Sequence, residues 1–226
     1  MLMIPPARRW FKSLFTVRSA SALLTLLLID VVFIQLDRMY LQGRLPEMFS
    51  FDSESGYAEL YQNGKEFAMM LLTLGCVVTS GEPLYVCWLG VFSYVFLDDT
   101  FQVHERLGAW VSHRFALAGP FGLRGDDVGE LVVSAAAGLI VCVALIAAWR
   151  RSSQDARRVS VVLIALLFAL GFFGIVMDML HVVMAGTWEY RLGIIEDGGE
   201  MLVVTTVLWF LYMTWRASSS IINESA

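Results

Sequence analysis

Charge is scarce in this chain. Asp, Glu, Lys and Arg make up 16% of it, against about 25% in an ordinary soluble domain. Proline is scarce too, with 5 in 226 residues, and no glycine- and serine-rich tract divides the sequence. Nothing marks a domain boundary, so we read a single domain over residues 1–226. Cysteine numbers 3 (Cys76, Cys87 and Cys142), all inside apolar runs. With no CxxC spacing among them, a disulfide framework and a thiolate zinc site are unsupported, and small buried hydrophobes remain. A nucleotide-binding loop, a Ser-His-Asp arrangement and a nucleic-acid patch are all missing.

What the chain has is apolar length. Hydrophobic residues reach 58% and mean hydropathy +0.66, concentrated in long runs. Spans are drawn at 19–40, 58–80, 83–108, 127–150, 159–185 and 194–215. Each holds close to the ~20 apolar residues that cross ~30 Å of hydrocarbon. The expected fold is therefore all-α, an integral membrane bundle of six transmembrane helices. The apolar run after the N-terminal 1–18 is too long for a signal-peptide core and lacks a cleavage site, so it reads as a retained helix. Pro83 after Ser80-Gly81-Glu82 marks a helix start, and Gly119-Pro120 and Gly186-Thr187 mark breaks.

Orientation follows from the basic residues. With 1–18 in the cytoplasm, that side collects Arg8, Arg9, Lys12, Arg18, Arg150, Arg151, Arg157, Arg158 and Arg216 against only Glu82, Asp155 and Glu224. Both termini are then cytoplasmic. The segment 41–57 is an extracytoplasmic loop, a short interfacial helix or cap with Asp52 and Glu54 among its acids. The stretch 107–117, with Trp110, His113, Arg114 and Phe115, is amphipathic and expected along the membrane interface. Trp10, Trp149, Trp188 and Trp215 fall near span ends, where aromatic belts sit.

Acids recur inside the spans: Asp30 and Asp37; Glu59 and Glu66; Asp98, Asp99 and Glu105; Asp126, Asp127 and Glu130; Asp178; Glu196, Asp197 and Glu200. They come late in odd helices and early in even ones, so all fall in the outer half of the bundle. Residues at i, i+3, i+4 and i+7 share a helix face. Asp30/Asp37, Glu59/Glu66 and Asp98/Glu105 are i, i+7; Asp126/Glu130 and Glu196/Glu200 are i, i+4; Asp178/His181 are i, i+3. Gly171 and Gly174 share the Asp178 face and permit close helix approach. The inner halves 161–170 and 203–210 are almost wholly apolar.

Such a cluster needs compensation by protons, by the neighbouring Lys65, Arg106 and Arg191, or by metal. Carboxylate with imidazole and no thiolate suits a hard or borderline divalent ion; iron, manganese and zinc are the leading choices, with a dinuclear centre in view. Asp178-x-x-His181 is a shortened form of the Glu-x-x-His pair of di-metal bundles. The expected ligands are Asp98, His104, Glu105, Asp178, His181, Glu196 and Glu200, with Glu66 and Glu130 bridging or acting as general base. Asp126, Asp127 and Asp197 also suit helix N-termini. Asp37 and Glu59 are as well explained as solvated acids.

The stretch from Leu97 to Gly108, with Asp98-Asp99, a spacer and His104-Glu105, resembles a segment of uncharacterised bacterial multi-pass membrane proteins. Glu196-x-x-x-Glu200 resembles their later acidic segment. The resemblance implies clustered acids with a histidine and imports no activity; a bacterial inner membrane is the expected location. Membrane hydrolases of the alkaline ceramidase and adiponectin-receptor type offer an analogy, but they use three histidines with Asp and Ser. The leading expectation is a metal-binding membrane protein whose site faces the exterior or periplasm, as a metal-dependent enzyme on a lipid or other hydrophobic substrate. The alternatives are a proton or divalent-cation transporter or channel, and a non-catalytic subunit with partners in a larger membrane complex. Membrane lipids are the expected surroundings and nucleic acid is not an expected partner.

Overall fold

The computed structural model describes residues 17–51, 53, 55–184 and 188–225. Arg8, Arg9, Lys12, Trp10, Asp52, Glu54 and Gly186-Thr187 lie outside the described residues. Every regular element among the described residues is helical: α1 (Val17–Leu41), α2 (Tyr57–Ser80), α3 (Pro83–Phe101), α4 (Val103–Phe115), α5 (Gly125–Trp149), α6 (Gln154–Gly171), α7 (Asp178–Val183) and α8 (Glu189–Ser225). Short 3-10 turns stand at Glu47–Phe49 and Pro120–Gly122, and a π turn, Phe172–Met177, joins α6 to α7. Ser19–Leu41, Pro83–Phe101, Gly125–Trp149 and Gln154–Val183 are 4 helices long and apolar enough to cross a membrane. The segments expected to span at 58–80 and 194–215 form the helices α2 and α8, which are not among these four.

The helix expected over 83–108 is corrected. It stops at Phe101 because Gln102 takes the left-handed conformation, φ 52° and ψ 46°, and α4 starts afresh at Val103. A non-glycine residue in that region costs about 1–2 kcal/mol. The Asp98 carboxylate offsets this by holding both the backbone N–H and the imidazole of His104 on the first turn of α4. The second difference is the π turn. It shifts the register of the residues beyond it, so the 3.6-residue spacing that grouped Gly171, Gly174 and Asp178 does not hold across it.

Packing separates the bundle into two halves. At one end Trp88, Met69, Leu84, Leu163, Leu211 and Val204 form a fully buried apolar core. Polar atoms within it find partners: Trp88 Nε1 donates to Ser160 Oγ at 2.9 Å, and Leu84 N–H donates to Ser152 Oγ at 3.1 Å. α2 packs between α3 and α8, while α1 leans on α8. α4 lies against the first turns of α5, where glycine meets glycine. A Cβ on Gly129 would overlap the Gly108 carbonyl, and one on Gly108 would stand 2.6 Å from the Glu130 backbone nitrogen. No larger side chain fits that crossing. It is also what brings Glu130 alongside α4.

Candidate functional site: an acidic pocket

The last turn of α3, the start of α2 and the first turns of α5 and α8 open onto a shared cavity of about 450 Å³. Its walls carry Glu59, Asp98, Asp99, Glu105, Glu130, Asp178, Glu196, Asp197 and Glu200, with His104 and Arg124. The amides Gln62, Asn63 and Gln102 complete much of the rim. Of the expected site residues, Asp98, His104, Glu105, Glu130, Asp178, Glu196 and Glu200 therefore share one wall. Glu66 and His181 lie just behind it.

Each of these two histidines is held by a carboxylate. His104 donates its backbone N–H to Asp98 Oδ1 at 2.7 Å, and its Nδ1 meets Asp98 Oδ2 at 3.0 Å. The left-handed Gln102 makes this double contact possible: the chain turns back, so residues 98 and 104 face each other although no helix joins them. The hydrogen bond from Asp98 raises the His104 imidazole above its ordinary value, against the opposing effect of burial. On the far side His181 Nδ1 meets Glu196 Oε2 at 2.9 Å, with Gly193 close beneath the ring. A carboxylate on Nδ1 fixes the ring and directs Nε2 outward, the arrangement common to metal-binding histidines. Asp98 and Glu196 thus have an orienting role that spacing alone did not assign.

Two groupings stand out, one on the wall and one reaching just behind it. Glu130 has His104, Asp178 and Glu105 as charged neighbours. Glu66, fully buried, has Asp99 within hydrogen-bond reach and Glu200 and Lys65 nearby, yet neither of its oxygens meets a donor. Two ionised carboxylates are acceptors only, so this contact demands a shared proton or a cation. Gly174, in the π turn, clears the space for Glu200: a Cβ there would overlap Glu200 Oε1.

α1 does not contribute to the wall, contrary to the expectation that every span would. Asp30 is fully buried and pairs with Lys65 Nζ at 3.1 Å. The same ammonium donates to the Met201 carbonyl at 3.0 Å and Thr205 Oγ at 3.2 Å, and lies 4.5 Å over the Tyr61 ring. Asp37 Oδ1 accepts from Phe51 N–H at 3.1 Å and anchors the 41–57 loop. The cations also fall elsewhere. Lys65 is committed to Asp30, Arg191 lies 5.0 Å over Trp188, and Arg106 is exposed off the wall. The basic residue that does reach the rim is Arg124, which sequence reasoning missed; its guanidinium and backbone N–H both hold Asp127, at 2.7 Å and 2.6 Å. Asp127 accordingly serves the α5 N-terminus, the helix-end role its position suggested. Arg124 carried a signal after all, three residues before an acid at a helix start.

The donors present fit a divalent ion in kind: one oriented imidazole on the wall amid carboxylate oxygens. As placed, no three His, Cys, Asp or Glu side chains among the described residues close on a common point.

Fold and pocket define a class: a protein whose every regular element among the described residues is helical, with four helices long and apolar enough to cross a membrane and an acidic pocket at one end of the bundle. A family model, the domain of unknown function DUF8692, matches residues 20–215, and the chain belongs to that family. No curated protein and no solved structure matches the chain.

Proposed function

We propose that this is a metal-binding integral membrane protein whose acidic pocket takes a divalent cation at the outer end of a six-span bundle. The observation that carries this reading is the pocket itself, where carboxylates from six helical segments surround a His104 imidazole oriented by Asp98. His104, Glu105 and Asp178 are the proposed ligands, and Glu130, which has them as charged neighbours, is the proposed base. Iron, manganese and zinc match these donors. Glu200 and Asp99 offer a second carboxylate group in the same cavity, with Glu66 behind them, and support a dinuclear centre. The metal would supply Lewis acidity to a bound water or polar group. In this reading the substrate is a lipid or another hydrophobic molecule, and the membrane is a bacterial inner membrane with both termini cytoplasmic. The support for that orientation is the basic Arg150–Arg158 loop at the end opposite the pocket.

A through-membrane ion path has weaker support. Beyond Lys65 the hydroxyls of Thr73, Thr206 and Thr214 bond back to carbonyls of their own helices, and the surroundings are the apolar core. The test is elemental analysis of protein purified without chelator, followed by titration with Mn²⁺, Fe²⁺ and Zn²⁺. Near-stoichiometric metal, and a melting temperature that falls in chelator, are the expected results. Metal well below one equivalent after loading, with stability indifferent to chelator, would sink the proposal.

A further inference from the structure

We infer that α4 lies in the headgroup layer of the bilayer, with its outward face set against lipid phosphates and the acyl boundary. This rests on the membrane-spanning reading and goes beyond it by fixing the depth of the pocket.

Helix length gives the first argument. α3 has 19 residues, a rise of about 28 Å at 1.5 Å each, which is nearly the full ~30 Å hydrocarbon thickness. If Pro83 stands at one hydrocarbon boundary, Phe101 reaches the other, and α4 begins two residues later.

The face of α4 gives the second. At 100° per residue, Val103, Arg106, Leu107, Trp110 and Arg114 share one side, while Gly108 and Ser112 on the opposite side are buried against α5. The outward side is open: Leu107 is 47% exposed and Trp110 60%, with Phe115 at the helix end 67% exposed and both arginines exposed. In water this face would leave the Leu107 and Trp110 side chains bare. In hydrocarbon it would leave two guanidinium groups bare. The headgroup layer satisfies both, because Trp rings settle there and arginine stems lie along the acyl boundary while their heads reach phosphate oxygens. Positive charge against lipid phosphate selects the bilayer as the occupant of this face.

The consequence is for the pocket. His104 and Glu105 stand on the first turn of the same helix and line the cavity. Holding α4 at the headgroup layer sets the mouth of the pocket at that depth, so its ligand enters from among lipid headgroups.

The experiment uses the full chain in nanodiscs of phosphatidylcholine and phosphatidylglycerol, with Cys76, Cys87 and Cys142 replaced. Nitroxides are placed one at a time through Leu107→Cys, Trp110→Cys, Ile140→Cys and Asp155→Cys. Collision with oxygen and with a water-soluble nickel chelate reports depth. Ile140, 70% exposed at mid-α5, is the hydrocarbon reference, and Asp155 is the aqueous one. The labels at 107 and 110 are expected between the two, within a few ångströms of the phosphate level. Nickel access at both equal to that at 155, or oxygen access equal to that at 140, overturns the inference while the label at 140 still reports hydrocarbon. A label at 140 that behaves as aqueous instead removes the membrane-spanning reading, and this inference with it. Two labels on α4 keep the test decisive should one variant fail to fold. In a second arm, Arg106→Gln/Arg114→Gln is expected to lose at least half of the melting-temperature gain that phosphatidylglycerol gives over phosphatidylcholine; an unchanged gain counts against the phosphate contact.

Discussion

Lys65 and Asp30 show how much one buried pair can decide. The ammonium has three acceptors within 3.2 Å and a ring face, so it is fully satisfied, and Asp30 is sealed from solvent. Removing one partner of such a pair strands the other charge, at a cost of about 3–5 kcal/mol. Lys65→Met should destabilise the protein by about that much, read by denaturant unfolding in mixed micelles, and Lys65→Met/Asp30→Asn should cost less than the single change. A double variant as unstable as the sum of the singles would show that the pair is not coupled. At the pocket, Asp98→Asn keeps the shape but weakens the hold on the imidazole and its Nδ1 proton. Loss of an orienting carboxylate of this kind typically lowers metal affinity by about 10–100-fold. Isothermal titration with Mn²⁺ would measure it, and an affinity unchanged from the parent would remove Asp98 from the metal site.

Helix crossings, more than helix propensities, position the functional side chains. The α4–α5 contact works only because Gly108 and Gly129 carry no Cβ, and the atoms a Cβ would strike belong largely to backbone that has nowhere to move. Gly108→Ala should therefore cost about 1–3 kcal/mol by overpacking and should displace Glu130. Gly90→Ala, where a Cβ meets open space, is the matched control and should leave stability the same or slightly higher, since alanine favours a helix over glycine by about 1 kcal/mol. Melting curves of the two variants side by side would decide; equal behaviour would mean that the crossing tolerates separation. Gly174→Ala differs again. Its Cβ would strike the Glu200 carboxylate, the flexible end of a side chain, so stability should change little while cation affinity shifts. The π turn around Gly174 is the kind of local irregularity that recurs at functional sites, and here it stands on the pocket wall.

At the scale of the molecule the polar and apolar halves divide along the length of the bundle. The apolar core carries the packing, and the acids that line the pocket stand at the other end. The proposed topology makes a direct prediction. Single cysteines introduced at Arg151 and Ser218 should react with a membrane-impermeant maleimide from the same side, and one at Gly119 from the opposite side. Labelling of 119 and 151 from a common face would rule out the six-span arrangement.

The sequence alone determined that the chain is helical, that it has membrane-crossing length, and that its acids belong at one end. Those properties follow from composition and from period, which act locally along the chain. The positions of Asp98, Glu130, Asp178 and Glu200 along the chain put them at one end, and they line one cavity. What the fold alone decided is which group answers which. Lys65 pairs with a residue 35 positions away on α1, so an acid expected in the pocket is withdrawn from it. A left-handed residue at 102 turns His104 back onto Asp98, where an unbroken helix would have paired Asp98 with Glu105. Side-chain partners across helices depend on crossing geometry and on single backbone departures from the α register, and neither leaves a periodic trace in one sequence.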